Sequence, residues 1–143
     1  MAGIIGGLPQ TIIDANGITR QFTYDARQRM LTSTVVTGAG PLTSTYAYDA
    51  AGNVLSVTLP DGSAITNTYD VASRLTGHTD LFGQKIAYTL NAAGGVTQSK
   101  VTNAAAATTF SVNRTLDSLN RVLHNIGGVG QDTAATYDVN GTR

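Results

Sequence analysis

His78 and His124 are the side chains of this 143-residue chain best suited to move a proton near neutral pH. His78 stands two residues before Asp80, a spacing that puts both on one side of a strand. An imidazole held by a carboxylate can take a hydroxyl proton, so the pair resembles a hydrolase remnant. No serine stands in a recognisable nucleophile turn, however. Both histidines are therefore read as surface or hydrogen-bonded residues on strands near turns, and no catalytic residue is assigned. The chain has no cysteine, which excludes disulfides and thiolate zinc sites, and no transition-metal ligand spacing recurs. Asp14, Asn16, Asp61 and Asp80 sit at turn tips rich in backbone carbonyls. None of these turns has the acid count of a dedicated calcium loop, and calcium stays an open alternative there. Gly3, Gly6 and Gly7 lack the lysine and helix of a phosphate-binding loop. No cofactor is expected.

The aspartates have a more regular use. A phrase of tyrosine or leucine, an acid or its amide, and then a turn recurs six times. Its copies begin Tyr24-Asp25, Tyr48-Asp49, Tyr69-Asp70, Leu90-Asn91, Leu116-Asp117 and Tyr137-Asp138. Glycine closes the turn at Gly52, Gly94 and Gly141, whereas Gln28, Ser73 and Asn120 stand at that position in the other copies. A period near 21 residues means a modular array, in which each unit buries its apolar side only against its neighbours.

The elements that position these phrases are strands. All nine acidic residues are aspartate; the helix former glutamate is missing, and Asp favours turns. Threonine, suited to a pleated surface, is the commonest polar residue. Leu55, Val57 and Leu59 alternate with Ser56 and Thr58, and Ile65, Asn67 and Tyr69 alternate with Thr66 and Thr68. That is the period of a strand. The same alternation gives Leu42, Ser44, Tyr46 and Tyr48; Phe22 and Tyr24; Ile86, Tyr88 and Leu90; and Phe110, Val112 and Leu116. Aromatic residues are expected to stack in register from repeat to repeat. A second turn lies about 14 residues after the anchors, at Leu59-Pro60-Asp61-Gly62 and Asp80-Leu81-Phe82-Gly83, with Asp14-Ala15-Asn16-Gly17 matching. The Asn-Gly and Asp-Gly pairs predict tight hairpin turns with positive φ. Asn103-Ala104-Ala105-Ala106-Ala107 reads as an extended hairpin tip, with a short helical turn as the competing reading, and Gly127-Gly128-Val129-Gly130 as an irregular loop.

The fold class is thus all-β: six to seven antiparallel hairpin repeats of about 21 residues in a curved sheet ribbon. Residues 1–143 form one repeat region, with residues 1–17 a partial first repeat. Counting back 14 residues from Gly17 lands near Gly3, and Arg143 follows a turn. Either the boundaries cut a longer array, or Met1 begins a short unit. The length allows a workable core. Only 13% of residues are charged and nine cations balance nine anions, so nothing favours nucleic acid or an anionic membrane. No apolar run approaches the ~18 residues of a membrane span, and no membrane insertion is expected.

The phrase resembles the Rhs or YD-repeat family, whose pattern is Tyr-Asp, two variable residues, Gly, Arg or Asn, an aliphatic residue, a strand and an Asp-Gly turn. Tyr48 to Tyr69 follows it almost throughout. Leu90-Asn91 and Leu116-Asp117 depart from Tyr-Asp, as Gln28, Ser73 and Asn120 depart from glycine. The resemblance implies a β-ribbon spiralling into a hollow shell, as in bacterial polymorphic toxins, the cocoon of insecticidal toxin complexes and teneurins. In the toxins the shell encloses an effector, and a region with Asp-Pro-x-Gly motifs cleaves the chain. Pro9, Pro41 and Pro60 do not follow aspartate, so the scaffold carries over and the protease does not.

The expected function is structural and non-enzymatic: part of a shell wall around a toxin cargo, in a secreted or surface-exposed bacterial protein. About 13 strands at ~4.8 Å make a ribbon roughly 60 Å wide, too narrow when closed to hold a ~100-residue effector more than 30 Å across. Further repeats or further copies are needed, and partners are expected through open strand edges. The alternative is a self-assembling adhesin or filament subunit. There Tyr24, Tyr48 and Tyr69, and above all Tyr46 and Tyr88, would be platforms on which glycans stack. In the structural reading each anchor tyrosine packs between strands with its hydroxyl partnered, and each aspartate bonds N–H groups two residues on.

Overall fold

The computed structural model describes residues 4–5, 7–127, 131–138 and 141, and every regular element among them is a β-strand. Strands β1 (Ile4–Ile5) and β2 (Leu8–Pro9) form a short antiparallel pair. The others follow in chain order through a second sheet: β3 (Thr11–Ile13), β4 (Thr19–Tyr24), β5 (Met30–Thr37), β6 (Gly40–Tyr48), β7 (Val54–Thr58), β8 (Ala64–Tyr69), β9 (Leu75–Thr79), β10 (Lys85–Leu90), β11 (Val96–Thr102), β12 (Thr108–Leu116), β13 (Val122–Gly127) and β14 (Asp132–Ala134). Each strand lies beside its neighbour in sequence, and β3 and β14 are the two edges. The chain divides into two compact units, Met1–Thr66 and Asn67–Arg143.

Alternation decides which side chains share a face. In the first unit Phe22 pairs with Ser33 and Ser33 with Ser44, while Tyr46 pairs with Val57 and Val57 with Ile65. In the second, Ile86 pairs with Val101 and Val101 with Phe110; Tyr88 pairs with Ser99 and Ser99 with Val112. The face expected to be apolar is assembled as the period of two requires. The opposite face is threonine-rich, and Thr23–Thr32 and Thr34–Thr43 join hydroxyls across strands at 2.6 and 2.8 Å. Direct stacking of aromatics does not occur at these positions. The cross-strand partners of Phe22, Tyr46, Tyr88 and Phe110 are serine or valine. Successive anchor-bearing strands lie two strand spacings apart, at ~4.8 Å each, and the one intervening strand supplies the smaller residue.

The turns differ from the tight primed hairpins expected. In Asp14–Gly17, Leu59–Gly62 and Asp80–Gly83 the fourth N–H donates to the first carbonyl, and the first N–H donates to the carbonyl of the fifth residue. Only the glycine has positive φ, at 78°, 85° and 77°. This is a turn followed by one left-handed residue that forms a bulge, so Asn16 and Asp61 need no unusual backbone. Residues 103–106 form the same turn, with Asn103 Oδ1 accepting from Ala107 N at 2.9 Å and Ala106 at φ 62°. The short helical turn weighed for this segment is thereby excluded. Gly127 ends β13, while residues 128–130 of the expected irregular loop, and the terminal positions 1–3 and 142–143, lie outside the described residues.

A workable core is not what holds this sheet. Among the described residues no side chain is fully buried. Accessible surface totals 9351 Å², against roughly 7,000 Å² for a compact 14.8 kDa monomer. Cohesion must come from strand pairing and from the links between turns.

Candidate functional site

Those links are built on the recurrent phrase. In the first unit Asp25 follows the end of β4, and its Oδ1 accepts from the backbone N–H of Arg27 and Arg29 at 2.8 and 2.9 Å. Asp25 Oδ2 takes Arg29 Nε at 2.7 Å. The same guanidinium reaches the next turn, where Nη1 donates to Asp49 O at 3.0 Å, and it lies 4.5 Å over the Tyr48 ring. One arginine therefore neutralises its own turn, fastens the next, and makes a cation–π contact with the next tyrosine. Arg27 adds a second strap, donating to Ala50 O at 2.6 Å.

The second unit repeats the device. Asp70 Oδ1 accepts from Ala72 N and Arg74 N, its Oδ2 accepts from Arg74 Nε at 2.6 Å, and Arg74 Nη1 donates to Asn91 O and Ala92 O at 3.2 Å. Asp117 is bonded likewise by Leu119 N, Arg121 N and Arg121 Nε, and Arg121 sits 4.4 Å over the Tyr137 ring. Where the phrase lacks arginine, an amide substitutes. Asn53 Nδ2 donates to Asp49 Oδ2 at 2.8 Å, and Asn91 Nδ2 donates to Asn120 Oδ1 across two turns at 2.8 Å.

The carboxylates respond to these donors. Asp25 and Asp70 are held below the usual carboxylate range, chiefly by the backbone N–H of Arg29 and Arg74, with the guanidinium adding. Asp49 is lowered chiefly by the Asn53 side chain. For Asp117 partial removal from water is the largest influence and pushes upward, but the N–H and guanidinium of Arg121 together outweigh it.

Five of the six tyrosines fall into two groups. Tyr24, Tyr48 and Tyr137 donate their hydroxyls to the carbonyls of Pro9, Met30 and Val122 at 3.0, 2.8 and 2.9 Å. Tyr46 and Tyr88 make no hydrogen bond through theirs among the described residues. All six positions that close the phrase have left-handed φ: Gln28, Gly52, Ser73, Gly94, Asn120 and Gly141, from 60° to 101°. The anchors Leu90 and Leu116 replace a tyrosine with an aliphatic side chain that has no hydroxyl to place.

The hydrolase pairing does not form. His78 Nδ1 meets Asn67 Oδ1 at 2.9 Å, and Asp80 Oδ1 is occupied by the N–H groups of Phe82 and Gln84. His124 contacts Asp132 instead. Asp14 and Asp61 likewise bond their own turns, through Asn16 N and Ser63 N. The arginine strap was not foreseen, although its signal was present: Arg29, Arg74 and Arg121 each stand four residues after the aspartate.

A family model described as RHS Repeat matches residues 7–41, 36–64 and 48–85, more than half of the chain. The chain belongs to the RHS repeat family. No curated protein matches it by sequence. Among solved structures, the TcdB2–TccC3–Cdc42 crystal structure superposes on this RHS repeat chain with a TM-score of 0.66 at 19% identity. It covers 83% of this chain, which spans only 6% of that one. TcdB2–TccC3 without its hypervariable C-terminal region gives 0.64 at 18%, covering 81% and 7%. A Tc holotoxin pore of Photorhabdus luminescens gives 0.63 at 19%, covering 84% and 6%. These likenesses establish that the fold is that of an RHS-repeat sheet.

Proposed function

We propose that the chain is a length of wall, a non-enzymatic RHS-repeat scaffold contributing to a shell around a toxin cargo in an exported bacterial protein. The observation that carries this reading is the strap. Each arginine ties its own turn to the next repeat, so the sheet is held along its length. A wall needs that construction; a compact domain does not. The likeness to small parts of toxin-complex chains supports the same reading. The test is limited proteolysis of the full-length product containing this segment. A domain protected in the folded protein, and digested once the shell is opened with denaturant, supports enclosure; one cleaved equally fast in both states refutes it.

A second reading, a self-assembling adhesin or filament subunit, is favoured by the hydroxyls of Tyr46 and Tyr88, which bond no protein group among the described residues. Titrating the chain with an oligosaccharide panel checks it: Tyr46→Ala or Tyr88→Ala abolishes binding if these rings are platforms, and no panel member binds if they are not. Association of copies through the edges of β3 and β14 belongs to this reading, and light scattering that shows a monomer at high concentration refutes it.

A further inference from the structure

We propose that a hollow on β12–β14 of the second unit binds an organic monocarboxylate. Arg114 is opposite Asn125 and Asn125 opposite Thr133, so three polar side chains form a row across strands on the face that also carries Phe110 and Val112. With Val112, Gly127 and Gln131 they line a cavity of about 240 Å³. Gly127 lets Gln131 approach closely at the rim, since a Cβ there would lie 3.2 Å from Gln131 Cβ.

Two observations say what belongs in it. Arg114 is half-buried and spends Nη1 on the neutral Ser99 Oγ at 3.0 Å; it has no acidic partner among the described residues. Asn125 Oδ1 is shut away from solvent without a hydrogen-bond partner, and Asn125 lines the hollow. An orphaned buried acceptor is rare enough to require a reason, and an amide held so that Nδ2 faces the ligand beside the Arg114 guanidinium would supply one. The two donors, with the Thr133 hydroxyl, match the oxygens of a carboxylate. One cation complements one negative charge, whereas a phosphate dianion would keep an uncompensated charge. Val112 and the half-exposed Phe110 give the ligand's carbon skeleton an apolar bed. A peptide C-terminus and a uronic acid both offer this chemistry.

The test is a ¹⁵N NMR titration of the 143-residue chain with N-acetyl-L-leucine, its amide N-acetyl-L-leucinamide, and glucuronate. The expected result is saturable shifts at the amides of Arg114, Asn125 and Thr133 with an acid and none with the leucinamide. Tighter binding of N-acetyl-L-leucine assigns a peptide terminus, and tighter binding of glucuronate a sugar acid. Arg114→Gln weakens binding roughly 10- to 100-fold, as loss of a charged hydrogen bond does, while Arg20→Gln leaves it unchanged. If Arg114→Gln fails to give a dispersed spectrum, Arg114→Lys, which keeps the charge but loses the fork, must bind several-fold more weakly. Equal binding of acid and amide, no saturable binding of either acid, or full affinity in a folded Arg114 variant overturns the proposal.

Discussion

Tyr48 and Tyr46 differ by two positions on β6, yet only Tyr48 delivers its hydroxyl to a backbone carbonyl. Tyr48→Phe is expected to lose about 0.5–1.5 kcal/mol of stability, the net worth of one hydrogen bond, and Tyr46→Phe less than about 0.5 kcal/mol; urea denaturation of the pair checks the contrast. Asp25, Asp49, Asp70 and Asp117 have carboxyl pKa values lowered on folding. Their stabilising contribution is present above the unfolded value near 3.9 and is lost as pH falls through the folded values. Thermal melting should therefore hold steady above about pH 5 and decline below about pH 4. In a triple Asp25→Asn, Asp70→Asn, Asp117→Asn variant the decline should be shallower.

At the scale of elements, the turns carry a local conformational demand that composition conceals. Gly62 has φ 85° and open space around its Cα, and Ala106 has φ 62°. Gly62→Ala is expected to cost about 1 kcal/mol and Ala106→Gly to gain about 0.5–1 kcal/mol, with chemical denaturation as the measure. The arginine straps couple one turn to the next. Arg74→Ala should speed hydrogen exchange at Gly94 N and Gly95 N, which are bonded to Asn91, as well as within its own turn; acceleration confined to residues 70–74 would deny the coupling. The strands were legible from alternation alone, since Ile65-Asn67-Tyr69 and Ile86-Tyr88-Leu90 place their faces by parity. The turn class was not, because Asn16-Gly17 and Asp61-Gly62 have the same letters in a primed turn and in a bulged one. What separates them is the aspartate or leucine two residues earlier, whose carbonyl receives the glycine N–H. The strap was hidden for a different reason: four-residue spacing suggests a helix face, and here it spans a turn.

At the scale of the molecule, the sequence led to a core that the structure lacks. Length and apolar content allow a core, but alternation through successive strands puts the apolar residues on one side of each strand, and none of the described ones is buried. Roughly 2,400 Å² more surface stays accessible than in a compact protein of this mass, and Phe82, Val71 and Leu119 stand in turns largely exposed. A sheet linked by repeat-to-repeat straps, with no interior of its own, is suited to being a boundary between two compartments. The measurement that tests this most directly is electron cryomicroscopy of the full-length protein to which the segment belongs. The account predicts a closed hollow particle with residues 7–127 lying in its wall and density for a second polypeptide inside. A solid globular domain, or an open filament with both faces of this sheet in solvent, would contradict it.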